Sequence, residues 1–144
     1  MSSELSHDSL RIFQPVFALV MLTFVVLLRI PFVRLRAARE RRVTRADFRL
    51  GESPRVPPDV AIPNRNYMNL LELPVLFYVL ALTLYVTRHV DPLQLALAWT
   101  YVALRAAHSM VHLTYNDVLH RLALFALSNV VLSLMWVYFA RTAF

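Results

Sequence analysis

Four long apolar blocks constrain this chain more than any other feature. Ile12–Leu28, Met68–Thr87, Pro92–Tyr115 and Leu122–Ala140 each approach or exceed the ~17–25 residues needed to cross a hydrocarbon core. A helix of a soluble domain shows an apolar stripe and a charged face, whereas these blocks are apolar nearly all round. Composition agrees, with 58% hydrophobic and 17% charged residues and a mean hydropathy of +0.53. A segment in lipid must satisfy its own backbone hydrogen bonds. The sequence therefore predicts an all-α integral membrane four-helix bundle, one domain over 1–144 with spans of about 12–33, 64–88, 92–115 and 118–141. The ~10-residue alternation of a membrane barrel is absent.

The leader Met1–Leu10 carries Glu4 and Asp8 and no Lys or Arg. That is the wrong charge for a secretory signal, and no small-residue cleavage site follows the first block, so it reads as a retained helix. All fifteen basic residues are Arg. Ten of them (Arg29, Arg34, Arg36, Arg39, Arg41, Arg42, Arg45, Arg49, Arg55 and Arg65) fall between the first two blocks. The positive-inside rule then makes the first and third loops cytoplasmic and leaves both termini outside. The net charge of +6 gathers at one membrane face, where it favours anionic lipid over nucleic acid. The all-Arg usage and short loops suggest a bacterial inner membrane. With no cysteine there is no disulfide, thiolate metal site or cysteine nucleophile.

Prolines and caps punctuate the blocks. Pro15 sits where a helix start tolerates it, and Leu35–Asp47 is placed to extend that first helix into water. Gly51 opens a proline-rich loop, Glu52–Pro63, whose last proline is placed to start helix two. Pro74 should kink helix two and free the Leu70 carbonyl. Asp91-Pro92 has the form of an N-cap and N1 proline, and Asn116 or Asp117 can cap helix four.

Charge inside a span costs about 2.5–3.5 kcal/mol at a helix centre, so polar residues there face the bundle interior. Helix two presents Arg65, Asn69 and Glu72 on one face, and helix three presents Arg105, His108, His112 and Tyr115. Helix four opens with His120 and Arg121. One reading is structural, with Glu72 and Arg105 as a buried ion pair. It leaves surplus donors, which point instead to a polyanionic or peptide-like ligand with Glu72 receiving its ammonium group. A metal site from His108, His112 and His120 has suitable spacing. Arg105 and Arg121 would repel the cation, so no metal is expected. No span contains Gly, which excludes a GxxxG seam and leaves residues such as Ala103, Ala107, Ala123 and Ala126 for helix association.

The run Arg65-x3-Asn69-x2-Glu72-x-Pro74, with Arg105-x2-His108 and Arg121, resembles the MAPEG family (membrane-associated proteins in eicosanoid and glutathione metabolism). The resemblance covers nearly the whole chain. It implies a homotrimer holding glutathione between subunits near the cytoplasmic side. Arg65, Asn69, Glu72, Arg105, His108, His112 and Tyr115 would form the glutathione site, and Arg121 would favour the thiolate. The activity implied is that of a microsomal-type glutathione transferase or peroxidase. Its partner would be a hydrophobic small molecule or lipid entering from the bilayer. The alternative within the family is a non-catalytic lipid-binding or scaffold protein. This sequence departs from the family pattern at His112 and Phe125, where tyrosines are usual, and at Leu122 and Met68, where some members have Ser and Arg.

Overall fold

The computed structural model describes residues 9–144. The reading of Glu4 and Asp8 in the leader lies outside them. Among the described residues the regular structure is helical, with no strand and one isolated bridge between Arg49 and Gly51. Helix α1 spans Phe13–Arg39, α2 Pro58–Leu71, α3 Pro74–Thr87, α4 Pro92–Leu113 and α5 Val118–Ala143. Helices α2 and α3 are the halves of one broken helix, so the architecture is the expected four-helix bundle.

Helix α1 runs past its apolar block and through Pro31, which leaves the Leu27 carbonyl without its usual donor. The basic extension stops at Arg39, with Arg36 and Arg39 in the last turn, where cations complement the helix dipole. Helix α2 begins five residues earlier than the proline pattern suggested. Pro58 is its first residue and Pro63 lies inside it. A proline at N1 wastes no donor, and Asp59 in the first turn favours the positive end of the dipole. Pro63 then costs a single backbone bond, the one to the Asp59 carbonyl. Helix α4 starts as its sequence indicates, with Asp91 Oδ1 accepting from the Gln94 amide at 2.7 Å. Asp117 caps α5 by accepting from the His120 amide at 2.9 Å.

The main core joins Leu19 and Val26 of α1, Phe77, Leu80 and Leu84 of α3, Tyr101 of α4 and Met135 of α5. Phe77 and Tyr101 stack with centroids 4.8 Å apart. Among the described residues, three helical stretches are long and apolar enough to cross a membrane: Phe13–Arg39, Pro58–Thr87 and Val118–Ala143. Within the apolar window of the first only 17% of the residues are buried inside the chain. Its remaining apolar surface is left for lipid or another subunit. Helix α4 has the length of a span at 22 residues but is more polar, because Gln94, Arg105, His108, Ser109 and His112 are all buried. It is the inward-facing helix of the bundle.

The Arg-rich connection is folded onto the bundle. Val43 and Val56 pack with Ala37, Val60 and Ala61 in a second small core. Arg34 lies over the Phe48 ring at 4.5 Å and pairs with Glu52 at 2.8 Å. Arg42 pairs with Asp59 at 2.6 Å. Asp47 organises the 3-10 turn Arg45–Phe48. Its Oδ2 accepts from the Thr44 amide and hydroxyl, each at 2.8 Å, and its Oδ1 from the Ser53 hydroxyl at 2.9 Å. The Thr44 and Ser53 bonds hold this carboxyl below the ordinary aspartate range. A depressed pKa means stabilisation that is present above the unfolded value of about 3.9 and lost as pH falls through the folded value. Hydrogen exchange checks this. The loop amides of Asp47→Ala should show at neutral pH the reduced protection factors, relative to intrinsic exchange at the same pH, that those of the wild type show in acid.

Candidate functional site

The α2 face expected to carry polar groups does so because Arg65, Asn69 and Glu72 fall within two helical turns on one side. Opposite them stand His112 near the end of α4, Asn116 in the following turn and Arg121 in the first turn of α5. Together with Ile62 these residues line a cavity of about 190 Å³. Asn116 adopts the left-handed conformation, φ 51°, which asparagine tolerates better than most residues. Its amide donates to the Val111 carbonyl at 2.8 Å, and its Oδ1 accepts from Arg121 Nη1 at 2.7 Å. The turn thus orients a guanidinium at the cavity wall. Asn116 entered the sequence reading only as a possible cap. Its second role depends on a turn conformation that the residue type alone does not announce.

Arg65, Asn69, Glu72, His112 and Arg121 are the expected site residues that line the cavity. The other three lie apart from it. His108 Nδ1 meets the Arg121 carbonyl at 3.0 Å. A carbonyl only accepts, so Nδ1 carries the proton and the ring pins the start of α5. Tyr115 is exposed, its hydroxyl 3.0 Å from His120 Nδ1. His120 is thereby held away from His108 and His112, whose rings meet edge to face at 5.7 Å.

Arg105 is fully buried, and its placement follows from the proline break. Pro74 does more than kink helix two. Helix α2 ends at Leu71, Glu72 departs from helical geometry at φ −79°, ψ −95°, and Pro74 starts α3. The last carbonyls of α2 lose their intrahelical donors and form the negative end of its dipole. Arg105 Nη2 sits at that end, donating to the Asn69 carbonyl at 2.7 Å and to Asn69 Oδ1 at 2.6 Å. The expected alternative, a Glu72–Arg105 ion pair, is not formed. The helix break supplies acceptors closer than the carboxylate, and Glu72 stays exposed at the cavity. Glu72→Gln should therefore change stability by less than about 0.5 kcal/mol in detergent unfolding.

The arrangement offers two guanidiniums, two carboxamides, an imidazole and a single carboxylate. It suits a ligand with more than one anionic group and one ammonium. The sequence profile of the MAPEG family matches residues 12–141. The chain belongs to the MAPEG family. No curated protein and no solved structure matches it. The MAPEG family includes glutathione-dependent transferases and peroxidases, and also members without catalytic activity. Its integral membrane character agrees with the long apolar helices.

Proposed function

We propose that this chain is a glutathione-dependent membrane enzyme that conjugates hydrophobic electrophiles or reduces lipid hydroperoxides. The observation that carries the reading is the charge pattern of the cavity. Arg65 and the Asn69 amide suit the carboxylates of the tripeptide, Glu72 its α-ammonium group, and Arg121 the sulfur. A fixed guanidinium favours thiolate over thiol, and thiolate is the nucleophile. In conjugation the sulfur bonds to the electrophilic carbon as the leaving group departs with the bonding pair. In peroxide reduction two glutathiones give one disulfide, the alcohol and water.

A cavity of about 190 Å³ falls below the ~300–1,000 Å³ of small-molecule sites, so a neighbouring subunit would complete it. The homotrimer implied by the resemblance provides one. Met68, Leu71 and Leu122, exposed beside the cavity residues in sequence, offer an apolar approach from the bilayer. The basic first loop supports a cytoplasmic location for this end of the bundle, and the all-Arg usage supports a bacterial inner membrane.

One observation favours the non-catalytic alternative. Phe125 lies 6.1 Å from the His108 ring and 5.8 Å from the Arg105 guanidinium, and it offers no hydroxyl to a thiol. Turnover of a halogenated nitroarene and of a lipid hydroperoxide by the reconstituted protein with glutathione decides between them. Activity that needs glutathione and Arg121 supports the enzyme. Folded protein without either activity leaves the lipid-binding reading.

A further inference from the structure

A larger cavity than the first lies at the opposite end of the bundle. It is a groove of about 480 Å³ between the start of α1 and the start of α4, lined by Arg11, Gln14, Asp91, Leu95 and Trp99 among others. From Asp91 to His112 of the first site, the rise of α4 is ~30 Å, so the two cavities occupy different membrane faces. We propose that this groove binds one phospholipid whose headgroup carries both a phosphate and a primary ammonium.

The groove holds one cation and one carboxylate at the membrane boundary. Arg11 already takes part in an interaction of its own, but a guanidinium has five donors and can share them with a phosphate. Asp91 commits Oδ1 to capping α4 and also accepts from the Tyr138 hydroxyl; both donors are neutral, so its negative charge is still there for an ammonium group. Trp99, 43% exposed, sits where an indole is at home between headgroup and chain.

What lies beneath the charges selects a lipid over a soluble zwitterion. Gln14 lines the groove, and Phe17, Met21 and Phe24 continue from it along one helical face of α1. These three side chains are 67%, 45% and 53% exposed. From Gln14 to Phe24 the helix rises ~15 Å, about half of a ~30 Å hydrocarbon core and so the depth of one leaflet. A polar groove above an apolar strip one leaflet deep matches a headgroup above its acyl chains. The inference is independent of the glutathione reading and survives its failure.

Native mass spectrometry of the full-length, detergent-purified chain tests it. The probes are phosphatidylethanolamine, phosphatidylcholine and phosphatidylglycerol with identical acyl chains. One phosphatidylethanolamine per chain should be retained in preference to the other two. Arg11→Gln should weaken retention about fivefold, the worth of one cation near a lipid phosphate. Asp91→Asn keeps the cap, since asparagine caps as well as aspartate, and should abolish the preference over phosphatidylglycerol. Stronger retention of phosphatidylglycerol, equal retention of all three, no retention, or binding indifferent to both substitutions would each overturn the proposal.

Discussion

Asn69→Leu is expected to destabilise the bundle by about 2–3 kcal/mol, the worth of a hydrogen bond to a buried charge. Adding Arg105→Met to it should restore part of that loss. The asymmetry comes from burial. Arg105 is fully enclosed, and its close acceptors are the carbonyl and side chain of Asn69. Taking away the Oδ1 acceptor leaves a buried cation under-compensated, the costly way to break such a contact. Removing the cation as well lifts its desolvation cost, so the double variant should be the more stable of the two. Detergent-titrated unfolding of both proteins is the check. A double variant less stable than Asn69→Leu would mean that Arg105 stabilises the bundle through groups other than the α2 terminus.

Arg121→Ala should lower glutathione-dependent turnover by about 10²–10³-fold, the range for removing one preorganised electrostatic donor. The proposed role predicts a specific accompaniment, loss of the ultraviolet absorbance of bound thiolate. Asn116 and His108 hold this arginine from two sides, through its Nη1 and its backbone carbonyl. Asn116→Ala should therefore reproduce part of the defect while leaving the guanidinium in place. Turnover unchanged in Arg121→Ala would remove the residue from the chemistry.

The helices were legible because lipid allows few alternatives. Apolar blocks of spanning length and the Asp91-Pro92 start each have one physical reading, and the structure contains them; of the two caps offered for helix four it uses Asp117. The α2 triad was legible for the same reason, since helical spacing alone puts Arg65, Asn69 and Glu72 together. The partner of Arg105 was not. Pairing opposite charges pointed to Glu72, but Pro74 turned a kink into a break, and the exposed carbonyl of Asn69 competed better than the carboxylate. The folding of the Arg-rich loop was hidden too. Its ion pairs Arg34–Glu52 and Arg42–Asp59 join residues 18 and 17 positions apart, beyond any local pattern. The role of Tyr115 was misleading in sequence because the periodicity that places it beside His112 ends with α4 at Leu113.

Calorimetric titration of glutathione into the detergent-purified chain tests the central claim most directly, with Glu72→Gln and Arg121→Ala alongside. The cavity chemistry calls for saturable binding that both substitutions weaken while the proteins stay folded. Folded wild-type protein that takes up no glutathione at millimolar concentration would contradict it.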